Sequence, residues 1–323
     1  MLWISSTRPR GSRSRHPLLV MEVTPLRDLF ATRYLSAVGL VALVYDHVLT
    51  FEDEVSLIWM APHSIAKWMF LVNRYFVLCM QIALAYVLCG FVGLVMTNKN
   101  RCQHTLSAFP LASLLSVCIG NMLVLQRIVI LWDRRVIIVK VMIAGFLIGF
   151  SAQVITMALV VKRLAPSVEW MSSVGACVIT RSTPLLIVLW SSAMLFEGLV
   201  LLTTTLNALD RPRTIHERLA GVLRRDGIQY FAVITSLRIL NLVLAVFAIN
   251  RPSLIFLGTF FVWALTTTAL SRLLLNLRRI EIGSNISLVC GRSSPFALRL
   301  VNRHEAKASV SGEVEVEMDV WTS

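Results

Sequence analysis

The sequence predicts an all-α fold, a polytopic membrane protein built as a seven-transmembrane-helix bundle, and two observations carry that expectation. Charged residues are only 15% of the 323 and hydrophobic residues 56%, with a mean hydropathy of +0.73. A soluble domain carries about 25% charged residues, so this chain has too little charge to cover a water-facing surface. The apolar residues also fall in blocks of about 18 or more, the length that crosses ~30 Å of hydrocarbon. Backbone polar groups find no water there, so only helices and closed barrels span it. Barrel strands alternate apolar and polar residues, and these blocks do not.

Residues 1–33 are basic, with Arg8, Arg10, Arg13, Arg15, Arg27 and Arg33. Pro9, Gly11 and Pro17 disfavour regular structure there, and the segment is expected to be a disordered N-terminal tail. Leu18–Met21 is too short for a signal-peptide core. Seven apolar blocks follow, Tyr34–Phe51, Tyr75–Met96, Ala108–Trp132, Val136–Val161, Pro184–Leu206, Ile228–Ile249 and Ser253–Asn276. They make residues 34–276 the transmembrane domain. Trp59, Trp68, Trp132, Trp170 and Tyr230 stand near block ends, as an interfacial aromatic belt requires. No internal repeat is visible, which speaks against an inverted-repeat transporter. Residues 277–323 are polar, basic at first and acidic at the end, and read as a disordered cytosolic tail.

The formal net charge is +13. On a soluble protein that excess would suggest nucleic acid; here the cations sit at block ends, where they set topology. The expected partner is therefore the lipid bilayer and not nucleic acid. Lys67, Arg74, Arg134, Arg135, the five arginines of linker 207–227 and the start of the C-terminal tail share one side. The positive-inside rule makes that side the cytosol and leaves the N-terminus outside.

Asp46, Arg127, Glu197 and Arg238 lie within spans, and Lys140, near the start of the fourth, is expected to snorkel. Such groups cost about 2.5–3.5 kcal/mol each at a helix centre and are usually paired. Asp46 and Arg127 both lie about 7–8 Å from the cytosolic block ends, and Glu197 and Arg238 about 14–15 Å. Matching depth predicts two pairs, Asp46 with Arg127 and Glu197 with Arg238. Such pairs can fix packing, relay ions or protons, or switch conformation, and the sequence leaves all three open. Thr203–Thr205 and Thr266–Thr268 are expected to bond to their own helices or across an interface. Gly145 and Gly149 form a small-xxx-small pair suited to close helix packing, within the bundle or between copies.

Of six cysteines, Cys102 and Cys177 fall in linkers assigned to the outer, oxidising side. They are candidates for a disulfide, with two unrelated thiols as the alternative. No group of Cys and His has metal spacing, and no cofactor motif occurs. His216-Glu217 begins a zinc-protease pattern, but residue 220 is Ala, so the second His is missing. No nucleophile elbow, P-loop or dinucleotide fingerprint is present. His47, within a span, is expected to be packed or hydrogen-bonded. The chain is thus expected not to be an enzyme.

Several short runs carry a resemblance: Tyr45-Asp46, Leu49-Thr50, Glu54-Val55, Ile58-Trp59, Asn73-Arg74-Tyr75, Arg127 with its apolar followers, Phe196-Glu197, the run from Leu223 to Phe231, and Ser271-Arg272-Leu273 through Leu277. In these the chain resembles fungal membrane proteins grouped as domain of unknown function 6533. The named domain covers about residues 34–80, and the wider likeness reaches about residue 280. The resemblance implies seven helices and no assigned activity. After Arg127 this chain has Ile130-Leu131-Trp132 where the family often has Ala-Leu-Tyr.

Three functions compete. A receptor-like sensor fits seven helices, an outside N-terminus, the Cys102–Cys177 candidate, the basic third cytosolic linker and Asp133-Arg134-Arg135. The last span has no Asn-Pro-x-x-Tyr pattern and no Lys for a retinal Schiff base, which argues against an opsin. A small transporter or channel would use the four intramembrane charges as a pathway. A non-catalytic scaffold would use them for packing alone.

Overall fold

A computed structural model describes residues 16–91, 99–131, 136–171, 176–210 and 218–290. Its elements are α1 (His16–Leu49), α2 (Phe51–Glu54) running into a π-helical turn (Val55–Trp59), α3 (Ile65–Leu88), α4 (Lys99–Leu131), α5 (Val136–Leu164), the strands β1 (Val168–Met171) and β2 (Ala176–Ile179), α6 (Leu185–Asp210), α7 (Arg218–Ala248) and α8 (Thr259–Cys290). Seven of the helices, α1, α3, α4, α5, α6, α7 and α8, are long and apolar enough to cross a membrane.

Burial is inverted relative to a soluble protein. On α1, Val48 is 72% exposed while Asp46, two residues away, is 2% exposed. Tyr34, Val41, Ile137, Ile148 and Leu195 also face outward, and Asn73, Arg74, Gln81, Gln153, Glu197, Arg238 and Asn241 face inward. Lipid solvates the aliphatic side chains, and polar groups turn to one another.

Neighbouring helices pack in chain order, α1 on α3, α3 on α4, α4 on α5, α5 on α6 and α6 on α7. The first part of α8 returns to α1, where an added Cβ on Gly39 would lie 3.2 Å from Phe261 Cα, so a larger residue would push the two helices apart by a few tenths of an ångström. Gly145 and Gly149 bring α5 onto α6, facing Leu199 and Phe196 respectively. Their small-xxx-small pattern is used inside the bundle.

Between α5 and α6, β1 and β2 form an antiparallel hairpin with Trp170 opposite Cys177. Thr180 donates from both its backbone N–H and its hydroxyl to the Ser167 carbonyl and closes the hairpin's base. Beneath it Met157, Val160, Leu164, Val168, Ile179, Leu186 and Leu189 form one apolar cluster.

Several boundaries differ from the sequence reading: α3 ends at Leu88 rather than Met96, α7 starts at Arg218 rather than Ile228, and α4 starts at Lys99 rather than Ala108, which places Cys102 on a helix and not in a linker. Residues 16–33, expected to be tail, are the first half of α1. Pro17 occupies the first turn, where its missing N–H costs nothing, and Asp28 accepts a hydrogen bond from Ser253 Oγ. The second span begins at Ile65, not Tyr75, capped by Ser64 Oγ accepting from Lys67 N at 3.2 Å. Linker 162–183 holds the hairpin. Residues 277–290, expected to be tail, continue α8 and carry Arg278 and Arg279. Leaving the hydrocarbon does not end a helix, and no proline stops this one. Residues 1–15, 291–323, Asp133-Arg134-Arg135 and His216-Glu217 lie outside the described residues.

Candidate functional site: buried ion pairs and the chambers around them

The end of the bundle that carries the hairpin is tied covalently. Cys102 on α4 and Cys177 on β2 form a disulfide with a Cα–Cα distance of 5.8 Å. The link holds the hairpin against the start of α4, across a sequence separation of 75 residues.

Glu197 on α6 and Arg238 on α7 meet, as depth predicts. Arg238 Nε donates to Glu197 Oε1 at 2.8 Å, and both residues are buried. The guanidinium also lies 5.9 Å from the Trp190 ring centroid, within cation–π range. Glu197 Oε2 has no hydrogen-bond partner among the described residues.

Asp46 does not meet Arg127. Its Oδ1 accepts from Arg272 Nε on α8 at 2.5 Å. Depth fixes only one coordinate; the bundle fixes the other by packing α8 on α1, whereas α4 packs on α3 and α5. Arg127 is half-buried on α4.

A third pair joins two residues that fall between the first two apolar blocks of the sequence. Arg74 Nε on α3 lies 2.9 Å from Glu54 Oε2, and both side chains are fully enclosed. Arg74 Nη2 donates to Thr50 Oγ1 at 2.6 Å, and Glu54 Oε1 accepts from Trp59 Nε1 at 3.0 Å and from Tyr75 Oη at 2.9 Å. The π-helical turn aims Trp59 back at Glu54, a local distortion common at special sites. Lys67 Nζ then donates to the Trp59 and Ala61 carbonyls, at 2.8 and 2.9 Å, capping that turn. His47 is packed, edge-on to Tyr75, with Nδ1 2.9 Å from the Leu43 carbonyl.

Three chambers run along the bundle interior. The outermost, about 60 Å³, lies under the hairpin between Leu106, Met157, Leu164, Val168, Leu186 and Phe256 and is nearly all apolar. The next, about 40 Å³, shares Ser113, Met157, Leu189, Trp190 and Thr259 with it and is bordered by Gln153, Arg238 and Trp263. The third, about 50 Å³, shares Val117, Arg238 and Trp263 with the second and reaches Glu197, Asn73, Asn121, Thr266 and Thr267. Several groups bordering these chambers lack partners among the described residues: Gln153 Nε2, Trp263 Nε1 and Thr266 Oγ1. Thr203, Thr204, Thr205 and Thr267 bond to their own helices as expected, whereas the Thr266 and Thr268 hydroxyls do not.

The expected site residues thus separate into Glu197–Arg238 at the chambers, Cys102–Cys177 at the hairpin end, Asp46 with Arg272, and Arg127 apart from Asp46. Gln153 and Trp263 are uncharged and stand within apolar blocks, where the sequence does not distinguish them. Glu54 and Arg74 did signal, through the runs that carried the family resemblance.

No curated protein and no solved structure matches the chain. The model of a family described as a family of unknown function (DUF6533) matches residues 34–79, the stretch that holds Asp46, Thr50, Glu54, Trp59, Arg74 and Tyr75.

Proposed function

We propose that this multi-pass membrane protein is a receptor-like sensor rather than an enzyme, with its N-terminus outside and its C-terminus in the cytosol. One observation carries the reading: a line of chambers leads from a disulfide-tied hairpin to the buried Glu197–Arg238 pair. A ligand held there touches α6 and α7 at once, on either side of the pair that joins them. The same two helices run toward the basic linker at the other end of the bundle. Occupancy can therefore change how α6 and α7 lie against each other, a differential contact of the kind a ligand-driven shift requires. The excess of cations at that far end supports its cytosolic orientation.

Spectroscopic labels on Leu202 of α6 and Val233 of α7, both outward-facing, read the reading directly. A sensor gives two distance populations in lipid nanodiscs, and Glu197→Gln changes their ratio. One distance, unchanged by Glu197→Gln, contradicts it. The adjoining chambers also favour a second reading, a solute pathway. Proteoliposomes that pass small solutes at a rate abolished by Glu197→Gln would replace the sensor with a transporter.

A further inference from the structure

We infer that the two outer chambers form one binding site for a small neutral amphiphile, an apolar body of about six carbons carrying a hydrogen-bond acceptor such as a ketone or ester carbonyl. The inference rests on the sensor reading and names its ligand class.

The polar end of the site is defined by donors. Trp263 on α8 is 4% exposed and Gln153 on α5 is 3% exposed, and neither Trp263 Nε1 nor Gln153 Nε2 has a partner among the described residues. Both border the 40 Å³ chamber together with Arg238 on α7. An indole N–H and a guanidinium can only donate. A buried donor left without an acceptor costs about 1–3 kcal/mol. Two helices, α5 and α8, therefore present unspent donors to one small volume that Arg238 on α7 also borders, and an acceptor placed there satisfies them.

Charge decides between an anion and a neutral acceptor. Arg238 already faces Glu197 at 2.8 Å, so the pair sums to zero. An entering carboxylate would be a third, uncompensated charge in a low-dielectric interior, close to the Glu197 oxygens. A carbonyl brings a dipole and no charge, and accepts the same N–H groups.

The apolar end follows from the outer chamber. Its lining is Leu106, Met157, Val160, Leu164, Val168, Leu186, Leu189, Ile255 and Phe256 with few polar atoms. A volume of about 60 Å³ holds about four water-sized probes, and that many waters occupy about the space of a small hydrocarbon ring. Apolar walls make water a poor occupant. The shared residues Trp190 and Thr259 join this body site to the donors.

The test uses the full chain in lipid nanodiscs, with empty nanodiscs as blank, and three probes sharing one ring: cyclohexanone, cyclohexane and cyclohexanecarboxylate. Binding is read by saturation-transfer NMR and by thermal shift. The inference expects saturable binding of cyclohexanone that neither other probe matches. Trp263→Phe and Gln153→Leu should each weaken it about tenfold, the value of one hydrogen bond in a dry site; the second variant keeps the test alive if the first fails to fold. Equal binding of cyclohexanone and cyclohexane, or ketone affinity unchanged in both variants, overturns the acceptor claim. Tighter binding of the carboxylate overturns the neutral class while leaving a ligand site, and the sensor reading, in place. If no probe binds and Gln153→Leu raises the melting temperature, the chambers hold water alone and both the inference and the sensor reading fall.

Discussion

The bundle buries ion pairs in two different ways. Arg74 and Glu54 are closed in by Thr50, Trp59, Phe70 and Tyr75, with the Arg74 guanidinium 5.7 Å from the Phe70 ring, and neither lines any of the three chambers. Glu197 and Arg238 are nearly as buried, yet Arg238 borders two chambers and Glu197 one. In the first case both side chains are fully enclosed, with Arg74 Nη1 left without a hydrogen-bond partner among the described residues but no chamber beside it, so the pair acts as a clasp joining the short α2 turn to α3. In the second, space remains beside the charge, so something other than protein can answer it. Burial alone does not separate the two; what surrounds the pair does.

Four perturbations break or sharpen this contrast. Breaking the clasp should cost most. Arg74→Met strands a buried carboxylate and should destabilise by about 3–5 kcal/mol, read as lost monodisperse yield and a lower melting temperature. Arg74→Met combined with Glu54→Leu should recover much of that loss, since apolar pairs of similar volume replace buried ion pairs well. Next is the disulfide over the chambers: Cys102→Ser should cost about 2–4 kcal/mol by freeing the chain it closes. Its effect should appear as increased hydrogen exchange in the hairpin and not around Arg74. Glu197→Gln should cost less, about 1–3 kcal/mol, because a chamber admits water to the stranded guanidinium. A thermal penalty equal to that of Arg74→Met would erase the distinction between the pairs. Smallest is Lys67→Ala, which removes the cap on the Trp59 and Ala61 carbonyls from outside the clasp and should cost about 0.5–1 kcal/mol in a denaturation series.

Much of the architecture is legible in the sequence because lipid imposes it residue by residue. An apolar block must be a helix, and its length must match the bilayer. Glu197 and Arg238 were legible as a pair because their helices are adjacent in the chain, so equal depth sufficed. Asp46 shows where that logic stops: Arg272, inside the last apolar block, lies at much the same depth as Arg127, and only the closing of the bundle decides that Arg272 stands beside Asp46. Arg74 was read as a linker residue because Asn73-Arg74 interrupts the apolar block that begins at Tyr75; in the structure that interruption is the inward face of α3. Pro17 in the sequence disfavours a helix, yet in a first turn proline is compatible with one. The chambers were not legible at all. They arise where α4, α5, α6, α7 and α8 fail to fill the space between them, a property of packing that no single segment carries.

A density map of the protein in lipid nanodiscs, sharp enough to show bound water, tests the central contrast most directly. The account predicts ordered non-protein density among Trp263, Gln153 and Arg238 and none beside Arg74. A closed, empty gap at Trp263 with Gln153 and Trp263 bonded to other side chains would contradict it.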